Sequence, residues 1–138
     1  MKIDSIKNGI VIDHIGAKKG MEIYEALKLK ELDCSVAIIT NAKSEKMGRK
    51  DIIKIDKDIE INMDVIGFIE PNATINVVRN DELVNKYNVK LPEKIVNIAK
   101  CQNPRCITSI EKDLDQVFHL TDKENQVYRC QYCEMSLK

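Results

Sequence analysis

Cys101-Gln-Asn-Pro-Arg-Cys106 and, 23 residues further on, Cys130-Gln-Tyr-Cys133 decide how the end of this chain folds. Each pair spans a tight turn, which lets two sulfurs converge on one ion at about 2.3 Å while backbone N–H groups face the thiolates. Two short pairs divided by a hairpin-sized insert form the layout of a four-thiolate structural zinc site, one Zn2+ per chain. Four thiolates fill the coordination shell and leave no position for a reactive water, which argues against a catalytic metal. Cys130 and Cys133 alone could form a redox pair, but the matching pair upstream favours the metal. A segment this small has too little apolar core to fold unaided. The insert is expected to supply strands at residues 106–110, 117–120 and 127–130. His119 falls in the second of these and reads as a solvent-facing strand histidine.

Upstream, Leu91-Pro92 precedes the helix-like stretch Glu-Lys-Ile-Val-Asn-Ile-Ala-Lys and marks a hinge. Two domains follow, residues 1–92 and 93–138. In the first, Asn8-Gly9 signals a turn ahead of a buried strand, Ile10-Val11-Ile12. Residues 17–32 read as a helix, with Met21, Tyr24 and Leu27 on one face. Residues 34–40 and 52–55 read as strands. Asp58 is a candidate N-cap for a second helix whose apolar face is Ile59, Met63, Ile66 and Ile69, ending at Pro71. Residues 73–78 complete the set, and residues 82–92 have weak periodicity. The order β-α-β, β-α-β predicts an α+β protein: an N-terminal ferredoxin-like sandwich of an antiparallel sheet and two helices, then a small β-rich zinc-binding domain.

Composition narrows the function. Basic and acidic residues number 22 each, divided 15 against 15 over residues 1–92 and 7 against 7 after them. Neither part has the basic excess that phosphate neutralisation along a polyanion requires, so nucleic acid is a poor partner. No apolar run reaches the roughly 18 residues of a membrane helix. The charged N-terminus lacks a signal-peptide core, and the chain reads as cytoplasmic. The fifth cysteine, Cys34, reads as a buried strand thiol. Phosphate loops, dinucleotide fingerprints and nucleophile elbows are missing, so the chain reads as non-catalytic.

Polar residues set into apolar strands are the candidate binding groups. Asp13-His14 follows Ile10-Val11-Ile12, Lys54 lies between Ile53 and Ile55, and Asn76 lies between Ile75 and Val77. Strand alternation sends Lys54 and Asn76 to the side opposite their neighbours. Residues 43–57 carry six basic and three acidic side chains. These groups suit either a phosphate-bearing ligand or an ordinary solvated face.

The stretches Gly9-Ile-Val-Ile-Asp-His-Ile15, Met47-Gly-Arg-Lys-Asp-Ile-Ile-Lys-Ile55, Pro71-Asn-Ala-Thr-Ile-Asn76 and Leu91-Pro-Glu-Lys-Ile95 precede the ordered cysteines. Together they resemble the regulatory chain of aspartate carbamoyltransferase along essentially the whole sequence. The resemblance implies a non-catalytic subunit whose first domain binds CTP, ATP and UTP, and whose zinc domain docks on catalytic trimers. It implies regulatory homodimers, three of which join two catalytic trimers, and a role in pyrimidine biosynthesis. By position, Asp13 would bind ribose hydroxyls with Lys86 nearby, and Lys54 and His14 would meet phosphates. Ile3, Asp4, Ile6 and Val11 would line the base, Asn76 and Val78 would complete the pocket, and Lys50 would lie near a second nucleotide. Asp81 stands where the family has an aromatic residue, so one ring contact is lost. Asn103 and Glu134 match interface positions, whereas Arg105 replaces a small polar residue.

Overall fold

The computed structural model describes residues 6–137. The chain divides into two compact units, the first ending at Lys90 and the second beginning at Leu91.

The first unit is a five-stranded antiparallel sheet built from β1 (Gly9–Gly16), β2 (Val36–Ser44), β3 (Gly48–Ile55), β4 (Thr74–Arg79) and β5 (Glu82–Asn88), in the order β2-β3-β1-β4-β5. Helix α1 (Gly20–Ala26) follows β1 and helix α2 (Met63–Ile69) follows β3. The β-α-β-β-α-β order with β1 at the centre is the ferredoxin-like sandwich expected, extended by β5. Period-2 alternation explains the sheet. Ile10, Ile12, Ile53, Ile55 and Ile75 point to one face, where Ile23 of α1 and Ile66 of α2 cover them, and all seven are buried. Val11, Lys54 and Asn76 point to the other.

Several local expectations are corrected. The first helix is shorter than residues 17–32. Lys28 adopts left-handed backbone (φ 56°), and a 3₁₀ turn over Leu29–Glu31 then buries Leu29. Its inward residue is Ile23, and Met21 is 46% exposed. The N-cap of α2 is Asn62, whose side chain accepts from the N–H groups of Asp64 and Val65, not Asp58. Asp58 instead pairs with Arg79 at 2.9 Å. Residues 82–88 form the fully exposed strand β5, which pairs with β4 through its backbone and has no buried face to give it a period.

The second unit is a three-stranded antiparallel sheet, β6 (Lys94–Val96), β7 (Val117–Asp122) and β8 (Val127–Cys130), with a short helix α3 (Ile107–Ile110). The helix-like stretch after Pro92 is therefore a strand edge, because Ile95 pairs with Phe118 and both are buried. Residues 106–110, expected as a strand, turn into α3 because Cys106 starts it, its carbonyl accepting from the Ser109 N–H. Pro92 is tied into this unit by the Tyr128 hydroxyl, which donates to its carbonyl.

Candidate metal centre and open sheet face

The two cysteine turns meet as the spacing requires. Cys101 and Cys106 flank a loop in which the Asn103 carbonyl accepts from the Cys106 N–H and from the Ser109 hydroxyl. Cys130 ends β8, and the following turn closes through Glu134 N–H to the Cys130 carbonyl and Cys130 N–H to the Met135 carbonyl. All four thiols are free, and their sulfurs lie within 4.8 Å of one another. Cys101 Sγ to Cys133 Sγ and Cys106 Sγ to Cys130 Sγ are both 3.7 Å. A tetrahedral ion bonded to sulfur at about 2.3 Å requires sulfur–sulfur edges of about 3.8 Å. The residues thus fit a tetrahedral, thiophilic metal.

The thiols are unequal. Burial pushes Cys101 up to about 12 and also raises Cys130. The Asn103 side chain brings Cys133 down to about 7, and the Thr108 hydroxyl lowers Cys106. Thr108, 2% exposed, donates to Cys106 Sγ at 3.1 Å. It is a metal-site residue that the cysteine spacing does not reveal. His119 stands outside the cluster, exposed on β7, with Nε2 2.8 Å from Gln131 Oε1.

The open face of the larger sheet gathers most of the remaining candidates. Cross-strand register places Lys54 opposite Val11, Val11 opposite Asn76, and Asn76 opposite Lys86. Directly opposed residues of antiparallel strands share a face, so Lys54, Val11, Asn76 and Lys86 form one row across four strands. Val78 lies two residues beyond Asn76 on the same side, opposite Gly9. Asp13 is bound to Lys50 at 2.9 Å, and its carboxylate also accepts from the His14 N–H. Burial raises the Asp13 carboxyl, but Lys50 and the His14 N–H outweigh it and leave the group below its ordinary value. His14 has left-handed backbone (φ 58°), and its Nδ1 is 2.9 Å from Thr74 Oγ1. Ile6 is half-buried, its Cγ2 2.8 Å from where a Cβ on Gly9 would fall. Ile3 and Asp4 lie outside the described residues. Asp81, in the β4–β5 turn, is exposed with φ 64°.

Comparison with known proteins assigns both units. Residues 1–90 match the family described as aspartate carbamoyltransferase regulatory chain, allosteric domain, and residues 93–138 match its metal binding domain. A chain of Clostridium botulinum named aspartate carbamoyltransferase regulatory chain is 52% identical over 97% of this sequence and 92% of its own. Those of Clostridium tetani (49% identical, 97% and 94% covered) and Bifidobacterium longum (44%, 100% and 99%) carry the same name.

Proposed function

The chain belongs to the aspartate carbamoyltransferase regulatory chains, non-catalytic subunits with an allosteric and a metal-binding domain, and from this we propose that it senses nucleotides on its open sheet face. The effectors are CTP, ATP and UTP. Asp13 and Lys86 hold the ribose, Lys54 and His14 meet the phosphates, and Lys50 lies beside a second nucleotide. Ile6 and Val11, with Ile3 and Asp4, contact the base, and Asn76 and Val78 complete the pocket.

The row Lys54, Val11, Asn76 and Lys86 is the observation that carries this reading. It sets two ammonium groups, an amide and an apolar side chain on one side of a sheet whose central strands are covered on the other side by α1 and α2. That combination suits a ligand with phosphates at one end and a heterocycle at the other. The chain is neutral overall, so attraction for phosphate must be local, as this row makes it.

In the second unit, Zn2+ held by Cys101, Cys106, Cys130 and Cys133 would act structurally, linking two turns that have little core between them. Exposed Ile107, Ile110, Leu114 and Met135 on this unit, with Ile110 67% exposed, support a docking surface for catalytic trimers. Regulatory chains pair as homodimers in the cytoplasm, and three dimers link two trimers. Nucleotides act by binding two states of the assembly with different strengths, a coupling of typically about 1–3 kcal/mol.

Calorimetry of the whole chain with CTP and ATP tests the pocket. Lys54→Ala should weaken both nucleotides by about tenfold or more, the scale of one lost charge-assisted contact. Equal affinity in wild type and variant would remove Lys54 from the site, and no heat in either would remove the site.

A further inference from the structure

We infer that Asp51 is a positioning residue of the nucleotide pocket: a fully buried carboxylate that sets the two bulges flanking β3, one of which carries Asp13 and His14 beside Lys50. The inference rests on the reading of the open sheet face given above. Asp51 belongs to β3 and faces the apolar core, with 0% exposure. A carboxylate there is costly unless fully hydrogen-bonded. Among the described residues no cation pairs with it. Oδ2 accepts from the Gly20 N–H and Oδ1 from the Asn41 N–H, each at 2.8 Å.

Those two donors tie β3 to β2 directly and, through the first residue of α1, to the chain that leaves β1. On one flank Ile12 faces Ile53 and Ile15 faces Asp51, so Asp13 and His14 together stand against the single residue Ile52. On the other flank Ile39 faces Ile52 and Ala42 faces Lys50, so Thr40 and Asn41 stand against Asp51 alone. Both bulges contain a left-handed residue, His14 and Asn41, each with φ 58°. A non-glycine residue enters that region at a cost, smaller for asparagine than for most, and for Asn41 the bond to Asp51 is the local compensation. Gly20 permits the close approach on the α1 side, since a Cβ there would come within 2.8 Å of Oδ2.

Asp51 cannot touch a ligand on the opposite face, so any influence is exerted through its neighbours. Lys50, the preceding residue, points to that face and holds Asp13 at 2.9 Å. A displaced Asp51 carboxylate releases Asn41, relaxes the paired bulges, and shifts the Asp13-His14 segment relative to Lys50.

The test is Asp51→Asn in the full chain. An amide presents a donor to one of the two backbone N–H groups and loses that bond with little change in volume. The chain has two histidines, so their ring signals in heteronuclear NMR report each unit separately. The His14 signals should move and those of His119 should not, with ATP affinity by calorimetry about tenfold weaker. In an Asp13→Asn background, Asp51→Asn should change ATP affinity by less than about twofold, because it acts through the same group. A residue that merely stabilises the fold would lower the melting temperature, leave His14 in place and act additively; that result overturns the inference. If wild type binds no ATP, the pocket reading fails by itself and the His14 shift still decides the role of Asp51. Should Asp51→Asn not fold, Gly20→Ala keeps the carboxylate but crowds it, and the same His14 displacement is expected. An unmoved His14 in that variant overturns the inference too.

Discussion

Replacing Thr108 by valine isolates one hydrogen bond at the metal centre. The hydroxyl donates to Cys106 Sγ at 3.1 Å in a site where Thr108 is 2% exposed and Cys106 1%. Valine has nearly the same shape, so no cavity opens and the change is confined to a donor replaced by a methyl group. A hydrogen bond to a charged acceptor contributes about 1.5–3 kcal/mol, and the Cys106 sulfur is a thiolate whenever a metal is bound. At about 1.4 kcal/mol per tenfold, the apparent affinity for Zn2+ should fall by roughly 10- to 150-fold. That range overlaps the loss of about 10- to 100-fold typical when a partner of a metal ligand is removed.

Competition for Zn2+ against a chromophoric chelator, with the full chain at neutral pH, reads this directly. Thr108→Ser is the matched control: it keeps the donor and gives up a methyl group. Serine should therefore hold the metal nearly as well as wild type while melting slightly earlier. Valine binding within twofold of wild type would refute the reasoning, as would equal losses for serine and valine, since the second pattern makes packing the cause.

Lys50→Met should raise the Asp13 carboxyl, because burial then acts without the opposing ammonium. In wild type the depressed carboxyl contributes stability that is present above its unfolded value and lost as pH falls through the lower, folded one. The variant should thus be less stable than wild type at neutral pH and lose less on acidification, the gap closing as pH falls, and an unchanged carboxyl titration by carbon NMR would contradict the pair. Chelation of the metal should unfold the unit that begins at Leu91 and leave the five-stranded sheet intact. Amide protection that survives across β6, β7 and β8 without metal would contradict that assignment.

Sequence made the metal centre legible because covalent spacing alone brings the sulfurs into two turns, and turns tolerate few alternatives. The central strands were legible for a similar reason. Ile10-Val11-Ile12 and Ile53-Lys54-Ile55 alternate between a covered and an open face, so each residue's side follows from its neighbour's. Strand β5 was not, since all its residues are exposed and only its backbone bonds to β4 define it. In α1 the periodicity fits Met21 or Ile23 with Tyr24 and Leu27, and docking on the sheet selected Ile23. Asp51, Thr74 and Thr108 escaped because each acts through a partner fixed by tertiary structure: a bulge, a histidine ring, a sulfur.

The two faces of the larger sheet explain why such residues matter. On the covered face, stability grows with apolar area, and a buried isoleucine can be traded for a similar hydrophobe at modest cost. On the open face no packing fixes where a side chain points. Lys54 and Lys86 project from regular register, so the ladder itself places them. Asp13 and His14 lie where the register with β3 breaks, and there the ladder is kept only on the β4 side, by Asp13 opposite Thr74. Their placement falls to polar contacts reaching into the sheet from either side: the Thr74 hydroxyl on the His14 ring, the Lys50 ammonium on Asp13, and the Asp51 carboxylate beneath the bulges. A pocket divided this way should tolerate substitution along the regular strands through changes in contact alone. At the bulge, a mutation should alter geometry and affinity together, even where the mutated side chain never meets the ligand.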